Sequence, residues 1–373
     1  MPKQDIFKSN QSGYAFFRLP AIVFHEGTFF VFCEGRYTRS DRSVMDIVLR
    51  RGTLEGSNVT WGEIQVVASQ QNASLHNPVP IVDQETNTVF VLYQADGTKI
   101  YSTKSTDLGQ TWTSPVNVTD QITADSGSNA VENFFTGPGH GTQLQSGRLV
   151  LQGYMHTGYS NPSGPLTSNA GVLLSDDHGD KWYVGGLVPK TTPGGTGVYT
   201  DETSVALLAD DSICLNSRTL GKCQPRAQSF SQDGGKTFGP LQMVPNLIEP
   251  TNGCGVAAGC EGSVLGFPSP DGSSERWALF SNPASKVFRF RMSIRLSRDG
   301  CKTWSNAWKI RCCASGYSDL TQYSANEVSN PNFAIVYENG VFDSIGKITF
   351  QTFNLSNVTQ GISCCSCCCC TCC

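Results

Sequence analysis

One eight-residue motif recurs four times along this chain, and this repetition constrains the fold more than any other feature of the sequence. The first copy, residues 105–112, reads STDLGQTW, and related copies occupy residues 175–182, 231–238 and 297–304, at spacings of 70, 56 and 66 residues. A weaker echo over residues 51–61 ends in Val-Thr-Trp. Repeats of this kind are typical of propellers and arrays, not of folds with one unrepeated core.

The residue types of the motif indicate a structural role. Its aspartate can accept hydrogen bonds from backbone N–H groups of its own loop, and its glycine supplies a positive φ. The aromatic residue at its end can pack beneath the turn. Each copy is therefore predicted to close a hairpin between two strands. In the fourth copy Cys301 stands at the glycine position, which is expected to weaken that turn without affecting the chemistry.

The segments between the motif copies favour an all-β fold. Short β-rich runs such as NTVFVLYQA and FAIVYENG are separated by turn signals, and helical periodicity is hard to find. About six four-stranded units of this size fit into the chain. The prediction is a six-bladed β-propeller that forms a single domain over residues 1–360, followed by a Cys-rich, disordered tail over residues 361–373.

Composition and charge exclude several classes of function. The formal net charge of -4 argues against a nucleic-acid partner, and an acidic ligand would need a local cluster of cations. The sequence contains no run of 18 apolar residues, so no transmembrane segment is predicted. Half of the 16 cysteines lie in the last ten residues; a metal-binding or palmitoylated tract is the alternative to a disordered tail. The other cysteines form no CxxC pair and the histidines no HExxH motif, so neither a metal nor a cofactor is expected.

The segment FFRLP, with Arg18-Leu19-Pro20, resembles the R-I-P signature of sialidases, and the four repeated motifs resemble the Asp boxes of that family. The segments SNPASKVFRFRM, LLSDDHG, SGYSDL and VYENG look most similar to the lysosomal-type animal sialidases, or neuraminidases. The resemblance implies a retaining exo-alpha-sialidase, a glycoside hydrolase that acts on the sialylated glycans of glycoproteins, gangliosides or oligosaccharides.

Sialic acid carries a carboxylate on its anomeric carbon, and an enzyme that binds it needs a cationic clamp, for which the planar arginine fork is well suited. By resemblance the clamp consists of Arg18, Arg218 and Arg289. Glu338 resembles the carboxylate that holds the first arginine, and Arg36 resembles an arginine near the ring substituents. Three further sequence features bear on the resemblance. Arg291 is expected to face the same side of a strand as Arg289, and Phe17 replaces the usual tyrosine before the first arginine, as Leu207 replaces a frequent second glutamate.

The predicted nucleophile is Tyr317. A carboxylate nucleophile would be repelled by the carboxylate of the substrate, whereas a phenol is neutral until a base activates it, and sialidases are a known exception to the two-carboxylate rule. Glu202 is predicted to be that base because it precedes Arg218 by the spacing that the family uses. Asp201 is its competitor and is expected to point to the other face of the strand.

The predicted acid/base residue is Asp41, which by resemblance lies on a flexible loop after the second strand and protonates the leaving oxygen. Asp46 is the runner-up and receives a structural interpretation because it lies in the strand-like run DIVLRR. Tyr154 resembles a residue that contacts the glycerol or N-acyl group.

Three alternatives stay open at this stage: a propeller that binds glycans without cleaving them, a trans-sialidase, and a hydrolase of another acidic sugar. A binding module would need the arginines but not a Tyr–Glu pair. Six Asn-x-Ser/Thr sequons and the resemblance favour a lysosomal or secretory location. The first residues contain no segment typical of a signal peptide, so a cytoplasmic or membrane-associated location stays open.

Overall fold

A computed structural model describes residues 3–124, 134–157, 167–189, 197–220, 225–250, 259–323 and 329–361. The Cys-rich tail lies outside these ranges, as do Cys223 and Cys254. The assignment of residues 1–360 to one domain and of residues 361–373 to a disordered tail therefore stays a prediction.

The described residues form six antiparallel sheets arranged as the blades of a β-propeller, as the sequence predicts. Blade 1 contains β2–β5, blade 2 contains β6–β9 and blade 3 contains β10–β14. The bounds of the strands from the start of the chain to the end of blade 3 are β1 (Lys3–Lys8), β2 (Phe16–His25), β3 (Thr28–Arg36), β4 (Met45–Glu55), β5 (Asn58–Ala68), β6 (Leu75–Asp83), β7 (Thr88–Ala95), β8 (Lys99–Ser105), β9 (Val116–Asn117), β10 (Phe134–Thr136), β11 (Thr142–Gln143), β12 (Leu149–Thr157), β13 (Thr167–Ser175) and β14 (Tyr183–Leu187).

Blade 4 contains β15–β18, blade 5 contains β19–β22, and blade 6 contains β23–β25 together with β1. Their bounds are β15 (Tyr199–Leu207), β16 (Ile213–Leu220), β17 (Arg226–Ser231), β18 (Gln242–Val244), β19 (Ser263–Pro268), β20 (Arg276–Pro283), β21 (Met292–Ser297), β22 (Trp308–Lys309), β23 (Ser315–Tyr323), β24 (Asn332–Asn339) and β25 (Lys347–Asn354). The short helices of the described chain are α1 (Thr119–Ala124), a 3₁₀ turn (Ala209–Asp211) and α2 (Leu355–Gln360). None of the described helices has the length and apolar character needed to cross a membrane.

The ring of blades is closed by strands from the two ends of the described chain. The N-terminal strand β1 pairs antiparallel with β25 and becomes the outermost strand of blade 6. This pairing covers the outer edge of β25 and joins the start of the chain to its last blade. Closure of this kind protects the sheet edge, which an unpaired strand would leave open.

The four repeated motifs close the hairpin between the last two strands of their blades, which confirms the hairpin prediction. In the first copy Asp107 Oδ1 accepts hydrogen bonds from the Thr111 backbone N–H at 2.9 Å and from the Ser105 hydroxyl at 2.8 Å. The Ser105 hydroxyl in turn accepts the Gly109 N–H at 2.8 Å, and Gly109 has φ +74°. The side chains of the motif therefore hold a turn whose backbone favours glycine.

The aromatic residue that ends each motif packs between neighbouring blades. Trp182 of blade 3 is buried against Phe90 of blade 2, with ring centroids 6.4 Å apart. Trp112 of blade 2 similarly meets Phe32 of blade 1 edge-on at 5.6 Å. Since the apolar clusters lie between adjacent blades, Trp112 and Trp182 each couple their own blade to the one before it.

The motif aspartates predict a stability loss in acid. Hydrogen bonds from Thr111 and Ser105 lower the pKa of Asp107 to about 2. Burial opposes the shift at Asp233, but hydrogen bonds from Thr237 and Ser231 outweigh it and also bring its pKa to about 2. A carboxylate with a depressed folded-state pKa stabilises above its unfolded pKa of about 4, and this contribution is lost as pH falls through the folded value.

We expect Asp233→Asn to destabilise the protein at neutral pH by about 1 kcal/mol, the ordinary net worth of a hydrogen bond. The variant should also lose less stability than the wild type between about pH 4 and pH 2. Thermal unfolding across this pH range measures both effects. Asp180→Asn is the matched control, since its carboxylate is 77% exposed and makes only a 3.9 Å ion pair. An Asp233→Asn curve parallel to the wild-type curve would contradict the role given to this aspartate.

Candidate active site

The predicted site residues meet at one face of the propeller, because successive strands of an antiparallel blade point in opposite directions. First strands such as β2, β15 and β23 begin at this face, and second strands such as β3, β16 and β24 end there. Glu338, near the end of β24, lies behind the site. The other eight predicted residues line one pocket of about 1030 Å³: Arg18, Arg36, Asp41, Tyr154, Glu202, Arg218, Arg289 and Tyr317.

Irregular strand pairing accompanies the predicted site residues that line this pocket. The pairing register of β2 shifts just after Arg18, that of β15 shifts around Glu202, and that of β23 shifts around Tyr317. Leu19 has φ +55°, an uncommon backbone conformation for a residue with a side chain. Bulges bend a strand locally and re-aim side chains, so these irregularities position residues that regular alternation would place differently.

A fully buried carboxylate orients Arg18. Glu338 Oε1 accepts hydrogen bonds from Arg18 Nε at 2.9 Å and from the Leu19 backbone N–H at 3.0 Å. Its Oε2 accepts from Arg18 Nη2 at 3.3 Å and from the Tyr317 backbone N–H at 3.2 Å. Burial lowers the pKa of Arg18, but the Glu338 charge outweighs this effect and raises it, so the guanidinium is charged at any working pH.

Tyr317 and Glu202 are hydrogen-bonded to each other at the floor of the pocket, although 115 positions separate them in sequence. The Tyr317 hydroxyl donates to Glu202 Oε1, and Arg218 Nη1 donates to Glu202 Oε2 at 2.7 Å. Burial and the Glu202 charge raise the pKa of Tyr317 well above its ordinary value, while Arg218 and Arg289 act in the opposite direction. The phenol therefore keeps its proton unless a base removes it, and the nearest base is already in contact.

Arg289 reaches the same floor from a loop, not from a strand. Its guanidinium carbon lies 5.4 Å from the centroid of the Tyr317 ring, and that of Arg18 lies 5.2 Å from it. The prediction that Arg289 and Arg291 face the same side of a strand was wrong, because both residues precede β21 and Arg291 has φ +66°. Arg291 is exposed, whereas Arg289 lines the pocket.

Asp41 lies at the rim of the pocket on the loop between β3 and β4, after the second strand of its blade as predicted. Its side chain is 74% exposed and forms ion pairs with Arg36 and, at 3.6 Å, with Arg18. Arg36 is buried and also pairs with the fully buried Glu34. Asp41 is thus the exposed carboxylate of this arginine cluster and can reach a ligand that enters from solvent.

The two runner-up carboxylates have other partners. Asp46 is buried in β4 and accepts hydrogen bonds from the hydroxyls of Tyr14 at 2.7 Å and Tyr37 at 2.9 Å. Asp201 Oδ1 lies 3.4 Å from His156 Nε2. This geometry supports the structural interpretation of Asp46 and the choice of Glu202 over Asp201.

Several residues of the pocket, among them Phe135 and Glu34, were not found by sequence reasoning. Tyr154 stacks on Phe135 with ring centroids 5.3 Å apart and planes 5° from parallel, and this pair forms an apolar wall. Glu34 holds Arg36 and accepts the Asn77 backbone N–H at 3.0 Å. The segment CEGR places Glu34 two residues before Arg36, which is the same-face spacing in a strand and was the signal available in the sequence.

In the described parts of the chain, no group of three or more His, Cys, Asp or Glu side chains is arranged to hold a metal ion. The pocket itself presents a row of arginines, a phenol hydrogen-bonded to a carboxylate, and an exposed carboxylate at the rim.

Comparison with known proteins identifies the family. The model of the BNR repeat-like domain family matches residues 27–329. A protein of Mus musculus named Sialidase-4 is 26% identical over 466 aligned positions that cover 96% of this chain and 94% of that protein. The chain belongs to the sialidase family. The resemblance seen in the sequence is thereby confirmed at the level of the family.

Solved sialidase structures share the fold. The Hadza microbial sialidase Hz136 superposes with a TM-score of 0.77 at 22% identity, covering 95% of this chain and 68% of that one. An intramolecular trans-sialidase from Ruminococcus gnavus superposes with a TM-score of 0.73 at 18% identity, covering 95% and 98% of the two chains. At these identities the likeness concerns the propeller and does not distinguish hydrolysis from transfer.

Proposed function

We propose that this chain is a retaining exo-alpha-sialidase that hydrolyses terminal sialic acid from glycoproteins, glycolipids or oligosaccharides. The observation that carries the proposal is the Tyr317 hydroxyl donating to the Glu202 carboxylate between three arginines. A glycan-binding propeller would need the arginines but has no use for a phenol held against a base. The lysosomal or secretory location stays a prediction.

Substrate binding would begin with the arginines. Arg18, Arg218 and Arg289 would hold the carboxylate of the sugar, since a guanidinium fork matches two carboxylate oxygens. Arg18 enters this role already oriented by Glu338. The substrate carboxylate would also take the place of Asp41 beside Arg18, which leaves the Asp41 side chain free to turn toward the glycosidic oxygen. Arg36 and Tyr154 line the same pocket, where the ring substituents would lie.

Two displacements at the anomeric carbon would complete the reaction. Glu202 would take the phenol proton while Tyr317 Oη forms a bond to the anomeric carbon, and Asp41 would give a proton to the leaving oxygen as that bond breaks. Water would then attack the same carbon with Asp41 as base, and Tyr317 would leave and recover its proton from Glu202. Each displacement inverts the carbon, so the two together retain configuration.

The first test is hydrolysis of a fluorogenic aryl sialoside by the purified chain. Tyr317→Phe should lower kcat by roughly 10³-fold or more, as expected for the loss of an activated nucleophile. Binding of free sialic acid should persist, because the arginines remain. Tyr323→Phe, a substitution of the same kind six residues further along the same strand, is the control and should leave turnover near the wild-type value. Full activity in Tyr317→Phe would refute the proposal.

Asp41→Ala tests the acid role separately. An activated aryl leaving group departs with little protonic help, whereas a natural sugar leaving group needs general acid catalysis worth roughly 10²–10⁴-fold. The variant should therefore lose far more activity on a sialyl oligosaccharide than on the aryl sialoside. Asp46→Ala serves as comparison and should affect both substrates alike through the fold. Equal losses of activity on the two substrates in Asp41→Ala would show that Asp41 is not the general acid.

A further inference from the structure

The fourth motif carries a cysteine where the other three carry glycine, in a conformation that disfavours any side chain. Cys301 is fully buried and has φ +68°. The turn is nevertheless built like the others, since the Cys301 N–H donates to the Ser297 hydroxyl at 2.9 Å and the Thr303 N–H donates to Asp299 at 2.9 Å. A left-handed conformation is costly for a non-glycine residue, so the side chain at this position calls for an explanation.

The equivalent glycines of other motifs show what the Cys301 side chain faces. A methyl group placed on Gly179 would lie 2.6 Å from Phe90, which is on the second strand of the preceding blade. Phe90 pairs with Lys104, the residue immediately before the motif serine Ser105. The glycine of the second motif therefore packs against this register position of the blade before it, whereas a methyl group on Gly235 of the third motif would lie nearest to Leu174, Ile213 and Val172.

Strand register puts a second cysteine at that position in blade 4. Cys214, on the second strand of the blade, pairs with Phe230, the residue immediately before the motif serine Ser231. Where blades 2 and 3 have a phenylalanine opposite a glycine, blades 4 and 5 have Cys214 opposite Cys301. The smaller residue on one side makes room for the larger residue on the other.

Cys214 and Cys301 lie in the same apolar cluster at the boundary between blades 4 and 5. Both residues are fully buried in one apolar cluster with Leu247, Phe280 and Trp304. Burial raises the pKa of the Cys214 thiol well above its usual value, and the neighbouring Cys301 thiol adds to this effect. Both are free thiols in this structure. Because a thiolate is the attacking species in disulfide exchange, these thiols would react before the blades pack, not afterwards.

We propose that Cys214 and Cys301 form a disulfide bond, made during folding, that links blade 4 to blade 5. The oxidant is a low-molecular-weight disulfide such as oxidised glutathione. The thiolate of one cysteine attacks it and releases one glutathione thiol, and the second cysteine then attacks the mixed disulfide and releases the other. The two protein thiols lose two protons and two electrons, and the glutathione disulfide gains them as two thiols.

The test is refolding of the reduced full chain with oxidised and reduced glutathione, against refolding in reductant alone. Free thiols are blocked with a maleimide in denaturant, and digested peptides are mapped by mass spectrometry without reduction. We expect a linked pair of peptides containing Cys214 and Cys301. The linked protein should melt about 5 °C higher than the reduced protein, because the bond closes a long loop in the unfolded chain.

Cys301→Gly is the matched control, since it removes one thiol and restores the residue of the other motifs. Its melting temperature should be the same in both refolding conditions, which separates this bond from reactions of the other cysteines. Maleimide on both cysteines after refolding with oxidised glutathione would overturn the proposal. So would a glutathione-dependent rise in melting temperature that is as large in Cys301→Gly as in the wild type.

Discussion

The site depends on the buried carboxylate of Glu338, which binds together the first and last blades of the ring. It accepts hydrogen bonds from the guanidinium of Arg18 and from the backbones of Leu19 and Tyr317, so one side chain positions both a clamp residue and the strand of the phenol. The adjacent Gly316 is required by this arrangement, because a Cβ there would lie 2.2 Å from Glu338 Oε2. A buried carboxylate is costly unless fully paired, and here its partners are the site itself.

The ring makes this convergence possible. Pairing of β1 with β25 completes blade 6 beside blade 1, and so brings Glu338 to Arg18 across 320 positions of sequence. Glu202 comes from blade 4 to meet Tyr317 of blade 6 over the axis. The sequence neighbours of Tyr317 do not supply its partners. The closed ring brings a base and several cations to the phenol. Burial of that group then strengthens every charge interaction within it.

The repeated motif was sufficient to predict the propeller, since its turn chemistry and spacing specify hairpins at regular intervals. The residues lining the pocket followed from family resemblance together with the chemistry that an anionic sugar demands. Local patterns failed where the backbone is irregular: Arg289 lies on a loop, and the bulges around Arg18, Glu202 and Tyr317 change which side a residue faces. Bulge positions depend on packing between blades, and strand alternation does not encode them. Phe135 was missed because its partner Tyr154 lies on a different strand, whereas Glu34 was missed although its same-face spacing from Arg36 in β3 was visible in the sequence.

The stereochemistry of the first product shows whether Tyr317 forms the proposed covalent bond to the anomeric carbon. Proton NMR of the earliest turnovers distinguishes the two anomers of sialic acid before they interconvert. We expect the α-anomer to appear first and then to mutarotate. Appearance of the β-anomer first would show that the enzyme inverts configuration, and would contradict the nucleophilic role of Tyr317 even with the fold and the arginine clamp intact.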